Sequence, residues 1–310
     1  EMPDTTINGV LLMQAKNWAQ SVAIAHLRLV RDGAGWRTES KRSSLVRTAG
    51  HAESPAVLAA TEAAHRATVA WATTPIGRTD VAWRADSARV VDTPLLDFVL
   101  EVERRAARAD LAAAAAFSLD ASIDSGTITA SRMQALYPYD NTLRAIRISG
   151  RQLREYLEFS ARYYTSGASG AISVDPTVPG YNFDVVAGAD YVLDLSRPLG
   201  ERVRKLEVRG RPVTPADSFT LALTNYRQTG GGGYSMIAGA PVVYDEQQDI
   251  RQLLADEVRR AGMLRPQDYF TRNWHIEPNA IVGTLYDEMR GRAAPRAVAG
   301  GAASVVARPP

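Results

Sequence analysis

Four consecutive glycines, Gly230 to Gly233, stand in the stretch TNYRQTGGGGY (Thr224–Tyr234), and no regular element accommodates such a run. Glycine reaches φ > 0 freely but costs roughly 0.5–1 kcal/mol inside a helix or strand. The run follows the strand-like FTLALTN (Phe219–Asn225) and is flanked by Tyr226 and Tyr234. It reads either as a loop at a strand end that lets another group approach bare backbone, or as a mobile surface loop of the Gly-rich linker kind. Two more short motifs mix aromatics with turn residues, YPYDNTL (Tyr137–Leu143) and GYNFD (Gly180–Asp184).

Around these motifs the hydrophobic periodicity predicts an α+β chain. Strands are expected over Asn8–Ala15, Ser21–Arg31 and Trp36–Val46, the last two joined at Asp32-Gly33. Three strands leave open edges and an uncovered face, so they are expected to be the last strands of a larger body. Ser54-Pro55 opens an Ala-rich helix reaching about Thr73, and Val57, Leu58, Val69 and Trp71 fit a helix joining two bodies. Beyond Pro75, helices are expected at Thr93–Arg108, Ala130–Leu136, Gly150–Tyr163 and Gln247–Ala261. Strands are expected at Asp110–Ala116, Leu143–Ile148, Asp190–Leu195, Val203–Val208 and Phe219–Thr224. The alanine run Ala112–Ala116 fits a buried strand under a closely packed helix, or a helix by propensity alone. The tail from about Ala293 is rich in Ala, Gly and Pro and is expected to be disordered.

Composition excludes several classes of function. The 36 basic and 34 acidic residues nearly cancel, and the basic ones are scattered, with Lys16, Lys41 and Lys205 the only lysines. A binder of nucleic-acid polymers would show a clustered basic face. Without cysteine there is no disulfide framework, thiolate nucleophile or Cys-type zinc site. No apolar run reaches the roughly 18 residues of a membrane span. The four histidines, His26, His51, His65 and His275, stand apart, none in a D-x-H, G-N-H-D or H-x-H setting, so no metal site is expected within the chain. A first residue of Glu1 rather than Met reads as a cut through a longer protein.

In order, YPYDNTL, GYNFD and NYRxxGGGGY, together with DYVLDLSRPLGERV (Asp190–Val203) and NWHIEP (Asn273–Pro278), resemble the C-terminal substrate-binding domain of the 5′-nucleotidase family. The resemblance runs from roughly Ile7 to Pro278 and is nearest to the bacterial 2′,3′-cyclic-nucleotide phosphodiesterase/3′-nucleotidase branch. It implies a mixed sheet with flanking helices over residues 75–284, a linker helix over 49–74, a remnant of a metallophosphoesterase β-sandwich over 1–48, and a disordered tail over 285–310. The missing N-terminal domain of that family carries two divalent metal ions; that domain would be this chain's own partner. Nucleosides and nucleotides are the implied ligands, and a periplasmic, cell-surface or secreted location is implied with them.

Carried over residue by residue, Tyr139 and Tyr226 match the aromatics that sandwich the base, a contact worth about 1–3 kcal/mol per ring. Pro138 fixes φ ahead of Tyr139. Asp140 and Asn141 reach ribose hydroxyls or cap the turn that follows them. Gly180, Gly231 and Gly232 let backbone N–H groups near the sugar or base, or simply make turns. Arg89 falls near a substrate-contacting arginine of the 5′-nucleotidases, whose fork suits a phosphate or carboxylate, or is a solvated residue flanking a helix. Two departures weigh against strict 5′-specificity: Ala115–Thr129 replaces the family's Asn-Gly-Gly-x-Ile-Arg stretch, and Gly232 stands where many relatives are acidic. The implied activity is a metal-dependent nucleotide phosphohydrolase in the parent protein, with this part binding but not cleaving. The alternatives are a 5′-nucleotidase or UDP-sugar hydrolase of the same family, or a non-catalytic extracellular nucleotide-binding module.

Overall fold

The computed structural model describes residues 1–166 and 170–293. It divides into a unit of residues Glu1–Thr68 and a unit beginning at Val69, the division falling within the helix Pro55–Ala72. In the first unit, strand Met2–Ile7 pairs with Val10–Gln14, and Ser21–Asp32 with Gly35–Arg47, both antiparallel. Of the strand predicted over Asn8–Ala15, Asn8 and Gly9 form a turn and only Val10–Gln14 is strand; its partner, Met2–Ile7, precedes the predicted range. Asn8 and Gly9 both take φ > 0, at 49° and 79°, the backbone that an Asn-Gly hairpin turn requires. Val22, Ile24, Leu27 and Leu29 remain exposed on the long hairpin.

The second unit is α+β, built on a five-stranded sheet in the order Asp184–Ala187, Leu111–Ala115, Ser218–Thr224, Leu143–Ser149, Val242–Tyr244. The alanine run is a strand, not a helix. It lies parallel to Ser218–Thr224 and antiparallel to Asp184–Ala187, and all five of its residues are buried. Small side chains permit the close approach of helix Pro94–Ala106, which starts on a proline at its first position and buries Leu95, Leu96, Phe98, Val99, Leu100 and Val102. Helix Gly150–Ser160 is opened by a capping box: Gln152 N–H donates to Ser149 Oγ at 3.2 Å, and Ser149 N–H to Gln152 Oε1 at 2.9 Å. Helix Ile250–Ala261 begins three residues later than predicted, because Asp249 is its cap and accepts from Gln252 N–H at 2.9 Å.

A four-stranded sheet (Arg211–Pro212, Val203–Val208, Asp190–Asp194, Trp274–Glu277) and a three-stranded one (Met263–Leu264, Pro75–Thr79, Gly126–Thr129) complete the unit. Helix Val282–Ala293 corrects the tail boundary at residue 285. Val282, Leu285, Tyr286 and Met289 follow helical spacing, and Leu285 and Met289 are buried. The remainder of the expected tail, from residue 294, lies outside the described residues.

Candidate nucleoside site

Sheet register alone gathers the sequence motifs. Ala115 at the end of its strand lies opposite Asp184 at the start of the antiparallel neighbour, and Leu143 lies opposite Thr224. Ala112 pairs in parallel with Ala222. Four segments therefore meet at one end of the sheet: Phe117 leaving the alanine strand, Tyr139–Asn141 entering Leu143, Tyr181–Asn182 entering Asp184, and Asn225–Gly233 leaving Thr224. Clamps fix this end, for Thr142 N–H donates to Asn225 Oδ1 at 3.2 Å and Asn225 N–H to the Thr142 carbonyl at 2.9 Å.

A cavity of about 300 Å³ opens here, floored by Ala113–Ala115 and walled by Phe117, Tyr139, Asn141, Tyr181, Tyr226 and Arg227, with Asp184 and Thr224 also in its lining. That volume is at the lower end for small-molecule sites, roughly 300–1,000 Å³. Tyr139 and Tyr226 are 48% and 49% exposed, and Tyr181 42%, so these rings line the cavity while remaining about half open. Each of the first two is braced from behind. The Tyr139 ring meets Phe117 edge-on at 4.9 Å between centroids and 82° between planes. Tyr226 lies against Gly231, where any β-carbon would come within 2.7 Å of the ring.

Beneath the tyrosines is a buried ion pair. Arg227 donates from Nε and Nη2 to the two oxygens of Asp184, each at 2.8 Å, and both side chains are almost fully buried. The same guanidinium donates from Nη1 to the Gly231 carbonyl at 2.6 Å and to Asn182 Oδ1 at 3.3 Å, and from Nη2 to the Tyr181 carbonyl at 3.0 Å. It also lies over the Tyr234 ring at 4.2 Å. Burial works against the arginine's charge, but the adjoining Asp184 carboxylate outweighs it and raises the guanidinium above its ordinary range. Tyr156 donates its hydroxyl to Asp184; burial, then that carboxylate's charge, keeps the phenol protonated far above the usual range.

Residues 75–239 match the family described as 5′-nucleotidase, C-terminal domain, which is 165 of the 310 residues. The chain belongs to that family. Among curated relatives, the trifunctional nucleotide phosphoesterase protein YfkN of Bacillus subtilis is 24% identical over 88% of this chain and 21% of its own length. The 2′,3′-cyclic-nucleotide 2′-phosphodiesterase/3′-nucleotidase of Salmonella typhimurium is 25% identical over 88% of this chain and 49% of its own. This chain thus spans half or less of the length of these relatives. A solved Staphylococcus aureus structure, described as a 5′-nucleotidase in complex with alpha-ketoglutarate, shares the fold at a TM-score of 0.70 with 24% identity, over 89% of this chain and 54% of that one.

Within this 5′-nucleotidase domain, Tyr139, Asn141 and Tyr226 are brought together in the cavity lining, while Asp140, Arg89, Gly180, Gly231 and Gly232 stand outside it. Asp140 points outward, its side chain 90% exposed, and pairs with Arg251. Arg89 donates from Nη2 to the Ala116 carbonyl at 2.8 Å and is packed against Gly180, where its guanidinium fills the space of a side chain. Gly232, at φ 73°, is likewise closed in by Asn182 and Arg227. These glycines make room for the protein's own arginines. The sequence reading missed Phe117, Tyr181, Asp184 and Arg227. Tyr181 and Asp184 lie inside GYNFD and Arg227 inside NYR, yet nothing local shows that residues 43 apart form one ion pair.

A second cavity, of about 330 Å³, is lined by Asp97, Glu101, Asp110 and two arginines. Two of its carboxylates are neutralised: Arg104 donates to Glu101 at 2.8 Å and Arg209 to Asp110 at 2.5 Å. It offers no half-open aromatic walls comparable to those of the first.

Proposed function

We propose that the cavity under Tyr139 and Tyr226 holds the nucleoside of a nucleotide, the base lying flat against the two rings. The supporting observation is that two half-exposed tyrosines, from motifs 87 positions apart in the chain, line one cavity with an apolar alanine floor. Stacking suits a flat heterocycle of any identity, since every base has a π-face. Asn141 supplies the amide in the lining that can both accept and donate toward a sugar or base edge.

On this reading the parent protein hydrolyses phosphate esters of nucleosides, with 2′,3′-cyclic nucleotides and 3′-nucleotides first, as the name of the Salmonella relative supports. Gly232, where many relatives are acidic, weighs against strict 5′-specificity. Among the described residues no group of three or more His, Asp or Glu side chains is placed to hold a metal ion. On this reading the family's two divalent ions, and with them bond cleavage, belong to the rest of the parent, in the periplasm, at the cell surface or secreted.

Calorimetric titration of the purified chain with adenosine and 3′-AMP tests the site. Weak but measurable binding is expected with both; absence of heat with any nucleoside up to millimolar concentration would defeat the reading. Hydrolysis by the chain alone, with Mn²⁺ or Zn²⁺ added, should stay at background. Turnover that a chelator abolishes would place a metal site here after all.

A further inference from the structure

The geometry assigns Arg227, anchored on Asp184, as the positioning residue that sets the spacing of the walls of the nucleoside slot. The inference rests on the nucleoside reading above and goes one step further, from the rings to what holds them.

A guanidinium has five N–H donors, and all five of those on Arg227 are accounted for: two on Asp184, one each on the carbonyls of Tyr181 and Gly231, and one on Asn182. No donor is left for a ligand, so Arg227 acts through its neighbours although it adjoins the cavity. Those neighbours belong to different walls. Tyr181 and Asn182 lie in one motif; Gly231, against the Tyr226 ring, lies in another. The Arg227 guanidinium carbon also stands 5.6 Å from the Tyr226 ring centre. Arg162 adds a strut from the far side, donating to the Gly232 carbonyl at 2.9 Å. Asp184 in turn fixes the fork, being held by Tyr156 and by its place at the start of a central-sheet strand. One buried group thus ties two otherwise separate loops to the sheet, and the planar fork matters: a lysine ammonium is a point charge on a flexible stem and cannot span the same acceptors.

The test compares three forms of the intact chain by adenosine calorimetry and by thermal unfolding: the unsubstituted chain, Arg227→Lys, and a combined variant Arg227→Met, Asp184→Leu, Tyr156→Phe. The combined variant exchanges the buried polar triad for apolar groups of similar volume, a change that often leaves stability intact. A residue that mattered only for stability would leave affinity unchanged wherever the melting temperature is kept. The expectation is a loss of affinity of more than about fivefold in every variant that melts with the unsubstituted chain, since displacements near 1 Å are costly in a preorganised site. A smaller loss in a variant that melts normally overturns the assignment. If the combined variant does not fold, Arg227→Lys decides by the same threshold. Failure of the unsubstituted chain to bind any nucleoside overturns the nucleoside reading itself, and this inference with it.

Discussion

Tyr139 and Tyr226 carry the binding reading, and truncating them separates it from mere packing. In the full-length parent, Tyr139→Ala and Tyr226→Ala are each expected to weaken nucleotide binding by about 1–3 kcal/mol, chiefly in KM, while Phe at either position is nearly neutral. The control is a base-less ester such as p-nitrophenyl phosphate. Equal loss on base-less and nucleotide substrates would make these tyrosines structural. Gly232→Ala is expected to destabilise by about 1–3 kcal/mol, because the new methyl meets Asn182 and Arg227 at a left-handed φ of 73°. Gly239→Ala shares the positive φ but has open space around its β-carbon, so it should cost less; denaturant midpoints of the two variants measure the difference. At this scale the sequence was legible where chemistry is local. Short motifs matched to the family pointed to Tyr139, Asn141 and Tyr226, which share one cavity lining. The Asp184–Arg227 pair was not legible, because its meaning lies in a contact that only the sheet register creates.

At the scale of elements, the start of helix Pro94–Ala106 is tied to the segment before Trp274 by two neighbouring carboxyls. Asp92 accepts from Asn273 N–H at 2.9 Å and Asp97 from Thr271 N–H at 3.1 Å. Burial, then the nearby Asp92 charge, pushes Asp97 up to about 8, and burial raises Asp92 as well. An acid whose folded pKa exceeds its unfolded value binds more protons in the folded state between the two, so stability falls as pH rises. The window runs from about pH 4, the unfolded value, to about pH 8, with a slope of up to about 1.4 kcal/mol per pH unit for one group. Urea unfolding across that range should show the decline, and Asp97→Asn should make it shallower, with Asp92 and the buried Glu103, also raised by burial, keeping part of it; a flat profile in the unsubstituted chain would contradict the paired-carboxyl account. Most central elements were legible from periodicity and caps, the alanine strand included among the predicted strands. Short pieces such as Pro75–Thr79, Asp184–Ala187 and Trp274–Glu277 were not, since strands of four or five residues owe their form to neighbours remote in sequence.

For the whole molecule, the distribution of core is lopsided. Every buried apolar side chain among the described residues lies at Ile76 or beyond. A shortened chain beginning at Val69, the start of the second unit, is accordingly expected to keep the melting transition and the nucleoside affinity of the longer one, which differential scanning calorimetry and titration would check; loss of either would show that residues 1–68 contribute to the second unit. The family was legible because its motifs recur in fixed order, whereas the composition of the first strands could say only that they lack a partner face. The alanine strand beneath the cavity has a consequence for descent. Its residues serve the core and the slot at once, so they are pinned from two sides, while the walls hang on loops outside the ladder. Descendants of this sequence can therefore exchange Phe117, Tyr139 or Tyr181 and drift toward other flat ligands without disturbing a strand, whereas any bulkier replacement in Ala113–Ala115 must either crowd helix Pro94–Ala106 or fill the slot. Variation in taste is cheap here; variation in depth is not.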